Sequence, residues 1–342
     1  MINIAVLCPS EIAMRRFMPA MEYLPNLRYI GVGVNSIKER YSGNLPDESV
    51  IMEMLKAGNS KAKAFADLYG GIIFKSYEEV ISSPEVDAVY IPLPPALHYK
   101  WTERSLKSGK HVLVEKPATT ALAATADLIE AARSNGLALH ENYMFIFHDQ
   151  LKEINRIVRS GELGEVRLYR ISFGFPLRAV NDFRYNRILG GGALLDAGGY
   201  TIKYASYLLG ETAKVVYARL NDLTGFEVDM YGSGVLVNDQ GATAQIAFGM
   251  DNEYKCELEI WGSKGTLTTE RVLTAPSGFV PTAKIVKGGK EEIITLPADD
   301  AFKKSIKRFA ECISDGQIRE SNYRILKRQA ELVQMFMDLA KR

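Results

Sequence analysis

Apolar residues in the first 142 positions gather into short runs. Residues 2–7, 27–34, 72–74, 86–91, 111–114 and 137–140 read as strands, each a brief hydrophobic stretch bounded by turn formers. Between them, residues 11–22, a stretch rich in Ala and Lys running to about Tyr69, residues 96–108 and residues 120–134 read as helices. Gly70-Gly71 and Ser108-Gly109-Lys110 end two of these helices. Strands alternating with helices at this spacing predict a parallel sheet wrapped by helices, and short apolar strands suit a sheet buried on both faces. Residues 37–60 read as polar and irregular, with turn signals at Ser42-Gly43-Asn44 and Leu45-Pro46-Asp47, and no function is assigned to them.

The pattern changes near residue 150. A helix at 148–160 ends at Ser160-Gly161. Longer β-rich runs follow at 165–175, 213–221, 228–237, 242–249, 254–260 and 264–268. Many alternate apolar and polar residues, as strands with one solvated face do. A helix near 193–209 interrupts them, and two amphipathic helices, about 299–314 and 322–340, close the chain. This is an α+β pattern. The expected division is 1–142 and 143–342, with the C-terminal helices able to pack back on the first domain.

Composition narrows the functional classes. A chain of 342 residues exceeds the usual size of one core, so two domains are the natural expectation. Its 42 basic and 41 acidic residues give a net charge of +1, which offers no electrostatic case for nucleic acid or an anionic membrane as partner. No apolar run of about 18 residues suggests a membrane span. The opening Met1-Ile2-Asn3-Ile4 runs directly into a strand pattern without a basic leader, so a cytoplasmic protein is expected. Cys8, Cys256 and Cys312 are sparse and far apart, and no two of the four histidines have ligand spacing, so no metal is expected.

Candidate chemistry begins at the first turn, Cys8-Pro9-Ser10-Glu11-Ile12-Ala13. It lacks the glycines of a dinucleotide fingerprint, keeping only Ala13, yet it follows the first strand and opens the first helix. Main-chain N–H groups at Ser10, Glu11 and Ile12 can meet a pyrophosphate; a plain strand–helix turn would read the same way. After the second strand come Asn35-Ser36-Ile37-Lys38-Glu39-Arg40, with no acid at the strand tip. Ser36, Lys38 and Arg40 suit a ribose 2′-phosphate, which favours NADP over NAD; a solvated polar loop is the plainer alternative. The strongest signal is Val112-Leu113-Val114-Glu115-Lys116-Pro117, a charged pair at the C-terminal end of a strand, where parallel sheets bind ligands. A lysine there can stabilise negative charge on a substrate oxygen or assist its proton transfer. Asp196 and Tyr200, four apart, share a helix face. Gly198 and Gly199 interrupt that helix at a cost of about 1 kcal/mol each, so something approaches it closely, either a packed neighbour or a bound ligand.

These segments resemble the glucose-fructose oxidoreductase / inositol dehydrogenase family. Glu115-Lys116-Pro117 matches its Glu-Lys-Pro signature, and Ile91-Pro92-Leu93-Pro94-Pro95-Ala96-Leu97-His98 its Pro-x-Pro-Asn-x-x-His segment, with Pro95 where the family has Asn. Glu141-Asn142-Tyr143-Met144-Phe145 looks like its linker, and Gly190 to Tyr200 like its substrate helix. The resemblance implies an α/β fold: an N-terminal Rossmann-type parallel sheet domain plus a C-terminal α+β domain with a large open, mostly antiparallel sheet. It implies an NAD(P)-dependent oxidoreductase that passes hydride between nicotinamide and a carbohydrate, either a sugar or a nucleotide-linked keto-sugar. Lys116, Asp196 and Tyr200 would be catalytic. Asn35, Leu93, Pro94, His98, Glu115 and Lys116 would join Ser10, Glu11, Ile12, Ser36 and Lys38 around the cofactor, and His98 is equally suited to orienting the strand-end loop. Tyr143 and Arg184 would join the catalytic residues around the substrate. The Lys116–Pro117 bond is a candidate cis peptide. The resemblance also makes nicotinamide and substrate the expected neighbours of Gly198-Gly199, and the exposed sheet face of the second domain the surface of a homodimer or homotetramer. The rival reading, motivated by the glycine-poor first turn, is a non-catalytic dinucleotide- or sugar-sensing regulator of the same fold.

Overall fold

The computed structural model describes residues 1–22, 24–40, 48–179 and 182–341, and of Lys38, Arg40, Glu48, Val50 and Met54 the main chain alone. The turn signals at 42–47 lie outside the described residues. These residues divide into two compact units: Met1–Thr119 with Ala123–Asn142 and Ile306–Arg324, and Thr120–Leu122 with Tyr143–Ser305 and Ile325–Arg342.

The first unit is built on six parallel strands, β1 (Ile2–Val6), β2 (Leu27–Gly33), β3 (Ile72–Phe74), β4 (Ala88–Ile91), β5 (His111–Val114) and β6 (Leu139–Glu141), in the order β3-β2-β1-β4-β5-β6. Every residue of β4 is buried, as are Ile4, Ala5 and Val6 of β1 and Val112, Leu113 and Val114 of β5. Burial on both faces is why these strands read as unbroken apolar runs. The order reverses between β1 and β4, so the loops leaving those two strands flank the switch point where this class of sheet binds ligands. Outside the β6 edge, Asn322 Nδ2 donates to Leu139 O at 2.7 Å and Tyr323 donates its hydroxyl proton to Leu137 O, covering main-chain groups of the sheet edge.

Two readings of this unit are corrected. Glu48–Tyr69 is a continuous helix of 22 residues, not irregular chain to residue 60. Gly58-Asn59-Ser60 are weak helix formers and read as a break. Buried Ala62 and Phe65 hold the helix, and a Cβ at Gly58 would already touch Val34 Cγ1 at 3.3 Å. A short helix, Tyr77–Ser82, also went unrecognised, although Ser76 caps it by accepting from Glu79 N at 2.9 Å, a Ser-x-x-Glu signature.

The second unit carries an eight-stranded sheet of β7 (Val166–Gly174), β8 (Lys214–Asp222), β9 (Asp229–Val237), β10 (Thr243–Gly249), β11 (Lys255–Gly262), β12 (Gly265–Glu270), β13 (Thr282–Lys287) and β14 (Lys290–Thr295). Its order is β14-β13-β12-β11-β7-β10-β9-β8, antiparallel except for the β7–β10 pair. In β10, Ala244, Ile246 and Phe248 are buried while Gln245 and Ala247 face solvent, which is the alternation seen in the sequence. The β13–β14 hairpin was not anticipated. It turns through Gly288-Gly289, both with positive φ, between paired Lys287 and Lys290, the backbone that a two-residue primed turn requires.

A π-helical turn, Leu194–Gly198, leads into the helix Gly199–Leu209, which lies over β7 and β10. Half-buried Asp229, at the start of β9, accepts from Leu194 N at 2.7 Å and so caps this helical stretch from a distant point in the sequence. Gly192, at φ +119°, leaves room for that carboxylate. Replacing Asp229 by Ala strips the cap and is expected to lower stability by about 1–2 kcal/mol. Urea unfolding of the two proteins would measure it; equal midpoints would show that the cap contributes nothing.

Candidate active site

In the first unit, the ends of β4, β5 and β6 meet around a half-buried carboxylate and a buried histidine. Glu115 Oε1 accepts from the Tyr90 hydroxyl and from Asn142 Nδ2, each at 2.6 Å, and burial nevertheless pushes its pKa up. Tyr90 is fixed from behind by stacking on Phe17, with ring centroids 4.1 Å apart. His98 is wholly buried in the helix Pro95–Lys107, its Nδ1 facing Pro117 O and its Nε2 facing Leu93 O, both at 2.7 Å. It ties the loop after β4 to the loop after β5. Two carbonyl acceptors favour the cation, but burial and the nearby Lys116 charge oppose it, and burial prevails: the ring is pushed down to about 4. Between these anchors lies half-buried Lys116, joined to Pro117 by a cis peptide bond. Glu141 Oε1 accepts from Ala118 N at 2.8 Å and fixes the chain just beyond.

The first turn fits a dinucleotide despite its missing glycines. Ser10 Oγ accepts from Ala13 N at 3.2 Å and Ser10 O from Met14 N at 3.1 Å. The N–H groups of Glu11 and Ile12 thus open a helical stretch that runs to Met21, with no preceding helical turn to bond them. Leu93 and Pro94, in the loop after β4, flank the same switch point. Asn35 and Ser36 follow β2 at the same end of the sheet, and the side chains of Lys38 and Arg40 lie outside the described ones.

In the second unit, Tyr200 stands in a wall of aromatic rings: Tyr143 at 5.2 Å, Phe173 at 5.3 Å and Phe145 at 5.6 Å between centroids. Lys203, one turn on, places its Nζ 5.6 Å from the centre of the Tyr143 ring. One turn before Tyr200, Asp196 accepts from Arg184 Nε at 2.7 Å, and Arg184 Nη1 also reaches Asp182 at 3.1 Å. Arg184 is therefore held by two carboxylates, which raise its pKa further against the burial that lowers it. The expectation for Gly198 and Gly199 is corrected. A Cβ on Gly198 would meet the Phe248 ring at 2.9 Å, and one on Gly199 would collide with the Tyr143 hydroxyl, so close-packed protein side chains require these glycines. Tyr90, Asn142, Asp182 and Phe173 were not singled out in the sequence. Only Asn142 carried a signal, as the residue directly after β6.

A parallel sheet in the order 3-2-1-4-5-6, with a Glu-Lys-Pro turn beside the switch point, defines a dinucleotide-binding oxidoreductase. Comparison with known proteins agrees. Residues 27–143 match the oxidoreductase family with an NAD-binding Rossmann fold, and residues 151–268 match the GFO/IDH/MocA C-terminal domain. The chain is 36% identical over 341 residues, covering 97% of it and 93% of the relative, to dTDP-3,4-didehydro-2,6-dideoxy-α-D-glucose 3-reductase of Streptomyces violaceoruber. It is 30% identical over 289 residues to D-xylose 1-dehydrogenase (NADP⁺) 2 of Haloferax volcanii, covering 84% and 87% of the two chains. Among solved structures it superposes on KijD10, a 3-ketoreductase from Actinomadura kijaniata in complex with NADP and TDP-benzene, with a TM-score of 0.89 and 35% identity, covering 98% and 97% of the chains. The protein belongs to the GFO/IDH/MocA family. It is an NAD(P)-dependent oxidoreductase that transfers hydride between nicotinamide and a carbohydrate.

Two histidines of the first unit, buried His98 and half-buried His111, predict a pH dependence of folding. His98 and His111 are both pushed down to about 4 by burial, so the unfolded chain takes up protons first as pH falls. Their stabilisation is complete above about pH 6.5 and is lost between there and pH 4, with His98 contributing at most about 3 kcal/mol. His98→Gln is expected to flatten part of that decline in urea midpoints. A decline as steep as that of the wild type would remove His98 from the account.

Proposed function

We propose that the chain is an NADPH-dependent ketoreductase acting on the 3-keto group of a dTDP-linked deoxysugar. The reading rests on one observation above the others: Tyr200, enclosed by Tyr143, Phe145 and Phe173, follows by one helical turn an aspartate fixed by Arg184. Reducing a ketone places a hydride on carbon and a proton on oxygen. The bound dinucleotide supplies the hydride; everything else falls to the chain. Tyr200 donates the proton to the ketone oxygen, and its aromatic surroundings keep that phenol from being solvated by bulk water. Lys116 stabilises the negative charge that develops on the same oxygen. Asp196 orients a sugar hydroxyl. Arg184 holds Asp196, and its remaining donors bind substrate. Glu115 contacts the cofactor's nicotinamide end, and His98 sets the strand-end loops around it. Tyr143 completes the substrate pocket. The protein works in the cytoplasm as a homodimer or homotetramer joined through the exposed sheet face, where Tyr217, Tyr231, Trp261 and Ile293 are uncovered in the single chain. No helix among the described residues is long and apolar enough to cross a membrane.

The direct test follows NADPH absorbance with a dTDP-linked 3-keto-deoxysugar. Tyr200→Phe and Lys116→Met are each expected to lower kcat/KM by about 10²–10⁴-fold. Either variant turning over at the wild-type rate would remove that residue from the mechanism. NADPH binding without oxidation, whichever keto-sugar nucleotide is supplied, would instead establish the sensing reading. Sedimentation equilibrium of the wild type, compared with Trp261→Asp, tests the oligomer; a wild-type monomer would refute it.

A further inference from the structure

We propose that Glu39 is a positioning residue that holds the adenosine end of the cofactor site in its NADP-accepting form. The inference rests on the NADPH reading above. The C-terminal end of β2 is where this fold meets the adenosine ribose, and an acid there selects NAD by accepting the ribose hydroxyls. Within Asn35–Arg40 the only acid is Glu39. Its carboxylate is already engaged from three sides. Oε2 accepts from Ser36 N at 2.6 Å and from Tyr77 N at 3.2 Å, while Oε1 accepts from Glu78 N at 2.8 Å. The first of these bonds reaches back to the residue before the short helix Ile37–Arg40, the reciprocal half of a capping box. The other two fall on the first N–H groups of the helix Tyr77–Ser82, where a negative charge is stabilised by the helix dipole.

One side chain thus ties the loop after β2 to the helix after β3. The union has little room to slide. A Cβ on Gly33, at the end of β2, would meet Val80 Cγ2 at 2.8 Å and Leu7 O at 2.9 Å. Two consequences follow for the ribose. The acid that could accept its hydroxyls is turned into the protein, and Ser36 is left at the site as a neutral hydroxyl in a fixed main-chain position. A 2′-phosphate then meets no facing carboxylate from the described residues Asn35–Arg40.

The experiment is a fluorescence titration of wild type, Glu39→Ala and Glu39→Gln with NADPH and with NADH, together with thermal midpoints and kcat at saturating NADPH. Glu39→Ala is expected to raise the NADPH Kd about tenfold. NADH binding should change far less, and kcat should stay within about twofold. Glu39→Gln keeps one acceptor oxygen and should fall between. Equal weakening of both dinucleotides would show a purely structural role and overturn the proposal, as would an unchanged NADPH Kd. If Glu39→Ala does not fold, Glu39→Gln alone must show the same shift in the NADPH-to-NADH ratio. A wild type that prefers NADH, or binds neither, would overturn the NADPH reading itself and this inference with it, and that result is visible before any variant is made.

Discussion

The site depends on how three parallel strands end. Peptide groups at strand ends have lost their ladder partners, and a buried loop must satisfy them by other means. Here His98 does so from inside the protein, bridging the carbonyls of Leu93 and Pro117, while the half-buried Glu115 gathers the side chains of Tyr90 and Asn142. Each is a titratable group held where burial works against its charge. An unpaired polar group at this depth would cost about 1–3 kcal/mol, so the network forms as a unit or not at all. Lys116 inherits its position from that network, flanked on one side by Glu115 and on the other by a proline whose carbonyl His98 fixes.

The second unit solves a related problem differently. Tyr200 is buried among the rings of Tyr143, Phe145 and Phe173. Gly198 and Gly199 let Phe248 and the Tyr143 hydroxyl come up against the helix backbone. Gln329 Nε2 closes the same region by donating to Gly199 O at 2.9 Å. A helix with two consecutive glycines is intrinsically weak. The Asp229 cap and this dense packing offset that weakness, so the sequence tolerates a poor helix former where a good one would not fit.

Much of this was legible in the chain. Strands β1, β4 and β5 announced themselves because burial on both faces leaves few polar positions to interrupt them. Glu115-Lys116-Pro117 stood out because charge at the end of an apolar strand calls for an explanation. Other features were written in the sequence in a form that is easily overlooked: Ser76-x-x-Glu79 for the short helix, and Gly288-Gly289 for the β13–β14 hairpin. The helix at 48–69 was hidden by Gly58-Asn59-Ser60, whose local preference is overridden by the burial of Ala62 and Phe65. Asp229 lies 35 positions from the N–H it caps, and Asn142 lies 27 from the carboxylate it steadies. Neither pairing has a local signature, because both are created by the topology.

The single parallel pair in the larger sheet has a consequence for how such a protein diversifies. β7 and β10 are sequence-distant neighbours, and the chain between them leaves one central strand and returns beside it after laying down β8, β9 and the helical stretch that carries Asp196 and Tyr200. Segment 175–213 is anchored at its two ends in β7 and β8, and beyond Phe175, whose N–H donates to Gly249 O at 3.2 Å, none of its described residues is a strand residue of the sheet. Its exposed stretches at 176–179 and 187–188 can drift while the strands keep their register, but its helix cannot, because Leu194, Ala197, Ile202, Tyr204 and Ala205 are buried in the core. Variation between the two fixed strands is thus confined to the loops, while the helix they lead into is tied to the core.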